Sequence, residues 1–194
     1  MIERLGDRAL RFPRPHAAPA WILEAVKTWP GVVDAVIAAH DVAIYFEDEP
    51  SEDYEARIAE LATLPIEPAP AREHAIRVVY DGEDLAAVAA ATRLSVEEVI
   101  AAHAARTYEV ASVGFLPGFA YLDGLDPRLE LPRRETPRVR VPAGALAIAG
   151  LQTAVYPFAS PGGWHLIGRV IDGRMFTPEH GARLAFGDRV RFVP

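Results

Sequence analysis

From residue 108 to the end of the chain, short apolar runs alternate with proline and glycine, and this pattern limits the possible folds most strongly. The runs show no helical periodicity, and most are too short for a helix that packs by one apolar face. Closely spaced short strands that end at Gly and Pro turns are typical of a closed or nearly closed β-barrel. We expect barrel strands at residues 110–115, 139–141, 145–149, 154–156, 164–170 and 189–193.

The segment before these runs predicts one further strand, at residues 75–80, and a helix at residues 82–91. Ser95 and Glu98 then have the spacing of a capping box, in which each side chain hydrogen-bonds the backbone N–H of the other residue. The helix that begins there carries an apolar face at helical spacing. Its members are Val96, Val99, Ile100 and His103.

Prolines 65, 68 and 70 predict an extended linker, because proline fixes φ and has no backbone donor. We therefore expect an N-terminal domain at residues 1–68, a linker at 69–74 and a barrel domain at 75–194, in the α+β class. The N-terminal order of strand, helix, strand, strand and helix is that of a small open sandwich, ferredoxin-like if a last strand follows. These elements are predicted at residues 9–12, 20–28, 32–38, 42–46 and 53–61.

Composition excludes several classes of protein. The chain has no cysteine, which excludes disulfides, thiolate nucleophiles and cysteine zinc sites. Its one lysine, Lys27, leaves no phosphate-binding Gly-x-x-x-x-Gly-Lys loop. A net charge of −7 argues against nucleic acid as a partner. No apolar run is long enough for a membrane span or a secretory signal, so we expect a cytoplasmic protein with no membrane contact.

Three glycine-containing loops are candidates for a ligand site. Glycine lets backbone N–H groups approach a ligand closely, and aromatic side chains can wall it in. The alternative is that each loop is only a tight barrel corner. The candidate residues are Phe115, Pro117, Gly118, Phe119 and Tyr121 in the first loop, Pro142 and Gly144 in the second, and Ser160, Gly162, Gly163 and Trp164 in the third.

Four other positions carry polar groups of ambiguous role. His103 on an apolar helix face is either a core residue or a catalytic one, and no ligand spacing beside it suggests a metal. Arg138 belongs to a basic stretch that is either a solvated loop or an anion-binding element. Gln152 and Thr153 either hydrogen-bond a ligand or close a turn.

Several separate motifs follow one another in a fixed order between residues 98 and 169. They are Glu98-Val99-Ile100, His103, Tyr108-Glu109-Val110, Gly114 to Leu122, Leu131-Pro132-Arg133, Pro137-Arg138, Val141 to Gly144, Ile148-Ala149-Gly150, Gln152-Thr153, Tyr156-Pro157, Ser160 to Trp164 and Ile167-Gly168-Arg169. In this order they resemble the KipI/PxpB family, whose members are also named as the B-type subunit of 5-oxoprolinase, as allophanate hydrolase subunit 1 or as the C/D type of carboxyltransferase domain. The resemblance covers nearly all of residues 75–194 and is looser over the first 70.

The resemblance implies a ferredoxin-like N-terminal domain and a cyclophilin-like C-terminal β-barrel. It also implies a KipA/PxpC-type barrel subunit and a PxpA-type subunit as partners in an ATP-dependent 5-oxoprolinase, which opens the lactam of 5-oxoproline, a small amide, to glutamate. ATP would be bound by the assembled complex rather than by this chain alone, with no metal or biotin on this chain. Two alternatives are a regulatory inhibitor of a sensor histidine kinase and a carboxyltransferase subunit of a urea or allophanate pathway.

Carried onto this sequence, the resemblance implies that His103 acts as a general acid/base or orients the amide, and that Arg138 holds a carboxylate or phosphoryl oxygen. The backbone at residues 117–118 and 162–163, with Gln152, Thr153 and Ser160, would line the pocket. Ala145 stands where the family commonly has serine after Pro-Ala-Gly. Any substrate contact through that hydroxyl would be missing here.

Overall fold

A computed structural model describes residues 1–38, 40–50, 54–67 and 71–194. The chain divides into two compact units, Met1–Pro70 and Ala71–Pro194. The linker predicted at residues 69–74 falls partly on residues 69–70, and the second helix is predicted to begin at residue 53. These residues lie outside the described ranges. Within the described ranges, none of the helices is long and apolar enough to cross a membrane.

The first unit is a four-stranded antiparallel sheet with two helices. Its elements are β1 (Glu3–Arg4), β2 (Ala9–Pro13), α1 (Pro19–Lys27), β3 (Val32–Ile37), β4 (Asp41–Phe46) and α2 (Glu55–Glu60). The strand order is β1-β2-β4-β3, so α1 crosses between two strands that flank β4. One sheet face carries the core, in which Phe12 and Ile44 pack with Ile22 and Val26 of α1.

The ferredoxin-like arrangement of this unit stays a prediction. The strands and helices that it requires up to α2 are present where the sequence pattern places them. The fourth strand of the sheet, however, is β1 at the start of the chain, not a strand after α2.

The second unit contains a closed barrel of seven strands in the order β10-β7-β6-β15-β5-β12-β9. Its elements are β5 (Glu73–Val79), α3 (Leu85–Thr92), α4 (Val96–Ala104), β6 (Tyr108–Val113), β7 (Ala120–Asp123), β8 (Arg138–Val141), β9 (Ala145–Ala149), β10 (Gln152–Val155), β11 (Ser160–Gly162), β12 (His165–Val170), β13 (Phe176–Thr177), β14 (Gly181–Ala182) and β15 (Arg189–Val193). The neighbours β5 and β15 run parallel, and β8 pairs with β11 in a separate two-stranded ribbon. The predicted barrel is thereby confirmed, and its closure fits a cyclophilin-like barrel. The strand expected at residues 139–141 is present as β8, but it pairs with β11 outside the barrel, so its assignment to the barrel was wrong.

The barrel core also receives the apolar faces of α3 and α4. Val88 of α3 and Val99 of α4 are fully buried in the same cluster as Ile76, Leu146 and Phe192 of the barrel. The predicted capping box is confirmed at Ser95 and Glu98, which exchange hydrogen bonds between side chain and backbone N–H. The capping box therefore fixes the residue at which helix α4 begins.

Gly82 brings the residues before α3 against strand β12, and Gly168 brings β12 against the end of β5. A Cβ on Gly82 would overlap the backbone of residues 166–168, and a Cβ on Gly168 would overlap the carbonyl oxygen of Val79. Only glycine permits this approach. As a result the backbone N–H of Asp84 donates to the Leu166 carbonyl at 2.9 Å.

Candidate functional site

The three glycine-containing loops converge on one aromatic cluster. The ring of Phe119, from the first loop, lies edge-on to Tyr156 at 5.3 Å and to Trp164, from the third loop, at 6.0 Å. Tyr121 contacts both Phe119, at 4.8 Å, and Trp164, at 5.9 Å. The cluster is a second apolar core beside that of the barrel. The loops thus share one face of the unit.

The first loop presents an aromatic ring to solvent on a strained backbone. Phe115 has φ +71°, in the left-handed region that side chains rarely adopt, and its side chain is 59% exposed. Such strain persists only where the surroundings impose it and is frequent at binding sites. Gly118 has φ +79°, and a Cβ there would crowd Phe176 at 2.7 Å. Pro117 between them is exposed.

The second and third loops are joined by backbone pairing. Ser160 lies opposite Val141 and Gly162 opposite Arg138 in the ribbon formed by β8 and β11. In the second loop, Pro142 is exposed and the backbone N–H of Gly144 donates to the Tyr156 carbonyl at 2.7 Å.

Tyr156 determines which residues are possible in the third loop. A Cβ on Gly162 would overlap the Tyr156 hydroxyl, whereas one on Gly163 would make only ordinary contacts, at 3.7 Å and beyond. Burial raises the pKa of Tyr156, and the Trp164 backbone N–H with the charges of Arg133 and Arg138 opposes that rise. The phenol is therefore buried yet under the influence of nearby guanidinium groups.

Arg138 is not free in a solvated loop but shares a buried carboxylate with Arg134. Nη2 of Arg138 and Nη1 of Arg134 donate to Oδ1 of Asp84 at 2.7 and 2.8 Å. Oδ2 of Asp84 accepts the Leu166 N–H at 2.7 Å, so this residue at the start of α3 uses its side chain on the barrel rather than on its own helix. Burial alone would raise the pKa of Asp84, but the hydrogen bonds from Arg138 and Leu166 and the two positive charges hold it below its usual value.

His103 lies in the barrel core with no exposed surface. Its Nδ1 lies 2.8 Å from the Tyr80 hydroxyl and its Nε2 lies 3.0 Å from the Thr153 hydroxyl. Burial lowers the pKa of His103 to about 3, so the imidazole is neutral at physiological pH. The structure favours the core alternative for His103 over direct contact with a substrate, because both ring nitrogens are used and neither reaches solvent.

Thr153 and Gln152 lie apart from the three loops. The Thr153 hydroxyl is buried between His103 and the Ala147 carbonyl, to which it donates at 3.0 Å. Gln152 pairs with Asp123 at the end of β7 that is remote from Phe119, and its amide donates to the Asp123 carboxylate at 2.7 Å. The structure therefore does not bring these two residues into the site. Ala145 is buried in the aromatic cluster, where it presents no hydroxyl.

Three residues of this face were not candidates from the sequence: Asp84, Arg134 and Tyr156. Asp84 resembles an ordinary helix start in sequence, and only the close crossing of Gly82 and Gly168 reveals that it meets strand β12. A signal for Arg134 existed in the basic stretch around Arg138, but spacing does not show which arginine turns inward. Tyr156 falls inside a predicted strand and has no polar neighbour in sequence.

Comparison with known proteins agrees with this architecture. Residues 12–184 match the family described as carboxyltransferase domain, subdomain C and D. A protein of Bacillus subtilis (strain 168), named as the B subunit of 5-oxoprolinase, is 36% identical over 224 residues, which cover 99% of this chain and 91% of that protein.

Two solved structures share the fold. The crystal structure of TTHA0988 superposes with a TM-score of 0.83 at 38% identity over 100% of this chain, which spans only 40% of that longer chain. The urea amidolyase of K. lactis has a TM-score of 0.70 at 16% identity over 100% of this chain and 14% of its own, which shows the fold alone. On the match to residues 12–184, this chain belongs to the family of carboxyltransferase domains, subdomain C and D.

Proposed function

We propose that this chain is the B-type subunit of an ATP-dependent 5-oxoprolinase, which opens the lactam of 5-oxoproline to glutamate together with PxpA- and PxpC-type partners. The observation that carries the proposal is the 36% identity, along 99% of this chain, to the Bacillus subtilis protein named as the B subunit of 5-oxoprolinase. The packing of Phe119, Tyr156 and Trp164 in one buried cluster supports it, because this cluster holds the glycine-containing loops together.

The reaction adds water to the lactam carbonyl carbon and breaks its C–N bond, with the nitrogen leaving as the amine of glutamate. ATP supplies the driving force, and transfer of its terminal phosphoryl group to the amide oxygen would make that carbon a better electrophile. This chain's part is to bind and orient the amide through the loop backbone at Gly118, Gly162 and Gly163. We infer that the assembled complex, rather than this chain alone, holds ATP, which agrees with the single lysine and the lack of a Gly-x-x-x-x-Gly-Lys motif in the sequence.

Partner subunits would cover an apolar rim formed by Phe115, Phe158 and Phe176. Phe115 and Phe158 are 59% and 40% exposed, and Phe158 lies 5.5 Å from Phe176, which packs on Gly118 of the first loop. Large exposed aromatics grouped on one face are typical of protein interaction sites. The Bacillus subtilis relative is named as a subunit, which agrees with a multi-subunit complex.

Reconstitution of the complex tests the proposal. The chain is purified with its PxpA- and PxpC-type partners and supplied with ATP and 5-oxoproline, urea or allophanate, each with and without avidin. Of the three compounds, we expect only 5-oxoproline to give glutamate release and ADP formation. We expect avidin to change neither. Turnover of urea that avidin blocks would assign the chain to biotin-dependent carboxyl transfer, and ATP-independent or absent glutamate release would contradict the proposal.

A further inference from the structure

Two guanidinium groups in this site share one buried carboxylate, so two positive charges face a single buried negative charge. Oδ1 of Asp84 accepts hydrogen bonds from Arg134 and Arg138, and its Oδ2 accepts one from the Leu166 N–H. Within the part of the chain that the structure describes, the one further acid in contact is Glu83, whose exposed carboxylate lies 3.3 Å from Arg138. An exposed contact of this kind is screened by water and weakly held. One positive charge of the cluster is therefore balanced only by this exposed contact.

The polar atoms that lack partners are concentrated beside the same cluster. Over residues 1–38, 40–50, 54–67 and 71–194, the buried side-chain atoms with no hydrogen-bond partner are Nε of Arg134, Nη1 of Arg138 and Oγ of Ser160. Arg138 and Ser160 lie on the paired strands β8 and β11, and the backbone N–H of Arg134 donates to the Gly163 carbonyl at the end of β11. Buried polar groups in folded proteins are almost always satisfied, so the unpartnered Nε of Arg134 and Nη1 of Arg138, on two guanidinium groups held by one carboxylate, indicate a partner for these two side chains.

The chemistry of these atoms defines that partner. Guanidinium nitrogens only donate hydrogen bonds, so the partner must offer acceptors. The incompletely balanced charge favours an anion, and the planar fork of arginine fits the paired oxygens of carboxylate and phosphoryl groups. Arg134 keeps 34% of its side chain exposed and Arg138 keeps 18%, so the cluster is open to solvent on one side.

We infer that Arg134 and Arg138 form a binding site for a small oxyanion, the carboxylate or phosphoryl group of a reacting molecule, and that Asp84 is the residue that positions them. The identity of the oxyanion rests on the proposed function, in which 5-oxoproline brings a carboxylate and ATP brings phosphoryl oxygens. Asp84 does not touch the anion, because it is itself negative and its two oxygens are used. It fixes both side chains to β12, so that their remaining N–H groups serve one site.

Binding is measured on the full chain by following the arginine side-chain N–H signals with ¹⁵N NMR. The added compounds are 5-oxoproline, 2-pyrrolidinone (the same lactam without a carboxylate) and inorganic phosphate. We expect the Arg134 and Arg138 signals to shift saturably with 5-oxoproline or with phosphate, and not with 2-pyrrolidinone. A shift with 5-oxoproline alone identifies the carboxylate, and a shift with phosphate identifies a phosphoryl group. No shift with either anion, or an equal shift with 2-pyrrolidinone, overturns the inference.

Variants separate this site from general charge effects. Arg138→Lys and Arg134→Lys keep the charge but lose the fork, and we expect each to weaken anion binding about tenfold. Arg140→Gln, an exposed arginine on the same strand β8, is the matched control and should leave binding unchanged. If Arg140→Gln weakened anion binding equally, the effect would come from net charge alone, and the proposed site would be overturned.

The role of Asp84 is tested in the reconstituted complex. Asp84→Asn should raise KM for the anionic substrate about tenfold with a smaller change in kcat, and Asp84→Glu should restore part of the loss. A change confined to kcat would contradict a positioning role. If NMR shows no anion binding while the wild-type complex releases glutamate, this inference fails and the proposed function stands. If the anion binds but the complex releases no glutamate, the proposed function fails and this inference stands.

Discussion

The Nε2–H of His103 donates to the Thr153 hydroxyl, which in turn donates its own proton to the Ala147 carbonyl. Because that hydroxyl has only one proton, it must act as the acceptor for His103, which assigns the Nε2–H tautomer. Nδ1 is then the acceptor for the Tyr80 hydroxyl. The imidazole thus enters the barrel core neutral, with its hydrogen-bonding capacity fully used.

This arrangement predicts that the protein loses stability on mild acidification. Burial lowers the pKa of His103 to about 3, below the usual 6.5, so the unfolded chain binds a proton that the folded chain does not. The contribution of the neutral, buried His103 to the free energy of unfolding is complete above pH 6.5, and it is lost as the pH falls toward 3. Between pH 7 and pH 5 we expect the free energy of unfolding to fall by about 2 kcal/mol from this residue.

Urea denaturation at each pH measures this loss, with His103→Gln as the comparison. The variant should be less stable at pH 7 and should lose less stability between pH 7 and pH 5 than the wild type. Equal losses in the two proteins would show that His103 titrates normally. It would then be reachable by solvent, as a catalytic role requires.

Asp84→Asn is expected to destabilise the fold by about 3 kcal/mol or more, because it leaves two partly buried guanidinium groups facing each other without a buried counterion. Asp81→Asn, three residues earlier, is the matched control. Asp81 pairs with Arg169 at 2.9 Å, but both side chains are about half exposed, so we expect a cost below about 1 kcal/mol. Equal costs for the two variants, measured by urea denaturation, would contradict a structural ion cluster at Asp84.

Neighbouring glycines in the third loop should respond differently to alanine. Gly162→Ala forces a methyl group onto the Tyr156 hydroxyl, which the Phe119 ring holds in place, and should cost about 1–3 kcal/mol. Gly163→Ala meets its neighbours at ordinary distances and should change stability by less than about 0.5 kcal/mol. Melting temperatures of the two variants report the contrast, and a tolerated Gly162→Ala would show that the loop does not close on Tyr156 as described.

Phe115→Ser should leave the fold intact and weaken association with the partner subunits. The side chain is exposed, so its removal opens no cavity, whereas an aromatic anchor in an interface commonly contributes about tenfold or more to affinity. Leu151→Ser is the control, because Leu151 is 48% exposed and precedes Gln152, at the far end of β10 from Tyr156. Pull-down titrations with the purified partners measure both. Unchanged association of Phe115→Ser would remove the apolar rim from the interface.

The sequence predicted the barrel because short apolar strands and Gly/Pro turns are local signals. Strands β9 and β15 lie at the predicted residues, and the capping box of α4 is confirmed. Strand β7 was missed, since its residues were assigned to the aromatic loop. Leu122 nevertheless lies in the barrel core.

The sequence predicted the site only in part, because the rest of the site depends on contacts between residues that are distant in the chain. The three glycine-containing loops pack around one aromatic cluster, while their binding of a ligand stays a prediction. The depth of His103, by contrast, depends on how α4 docks on the barrel, and helical periodicity does not report it. The link between Asp84 and Arg138 joins residues 54 positions apart. No pattern within one element signals such a pair.

The requirement for this chain in the complex tests the central claim most directly. ATP-dependent glutamate release from 5-oxoproline is measured with the PxpA- and PxpC-type partners as this chain is titrated in from zero. We predict no release without the chain and a rate that rises with its concentration to saturation at a fixed stoichiometry. Full activity of the partners in its absence would contradict the account, as would a complete mixture that leaves 5-oxoproline intact.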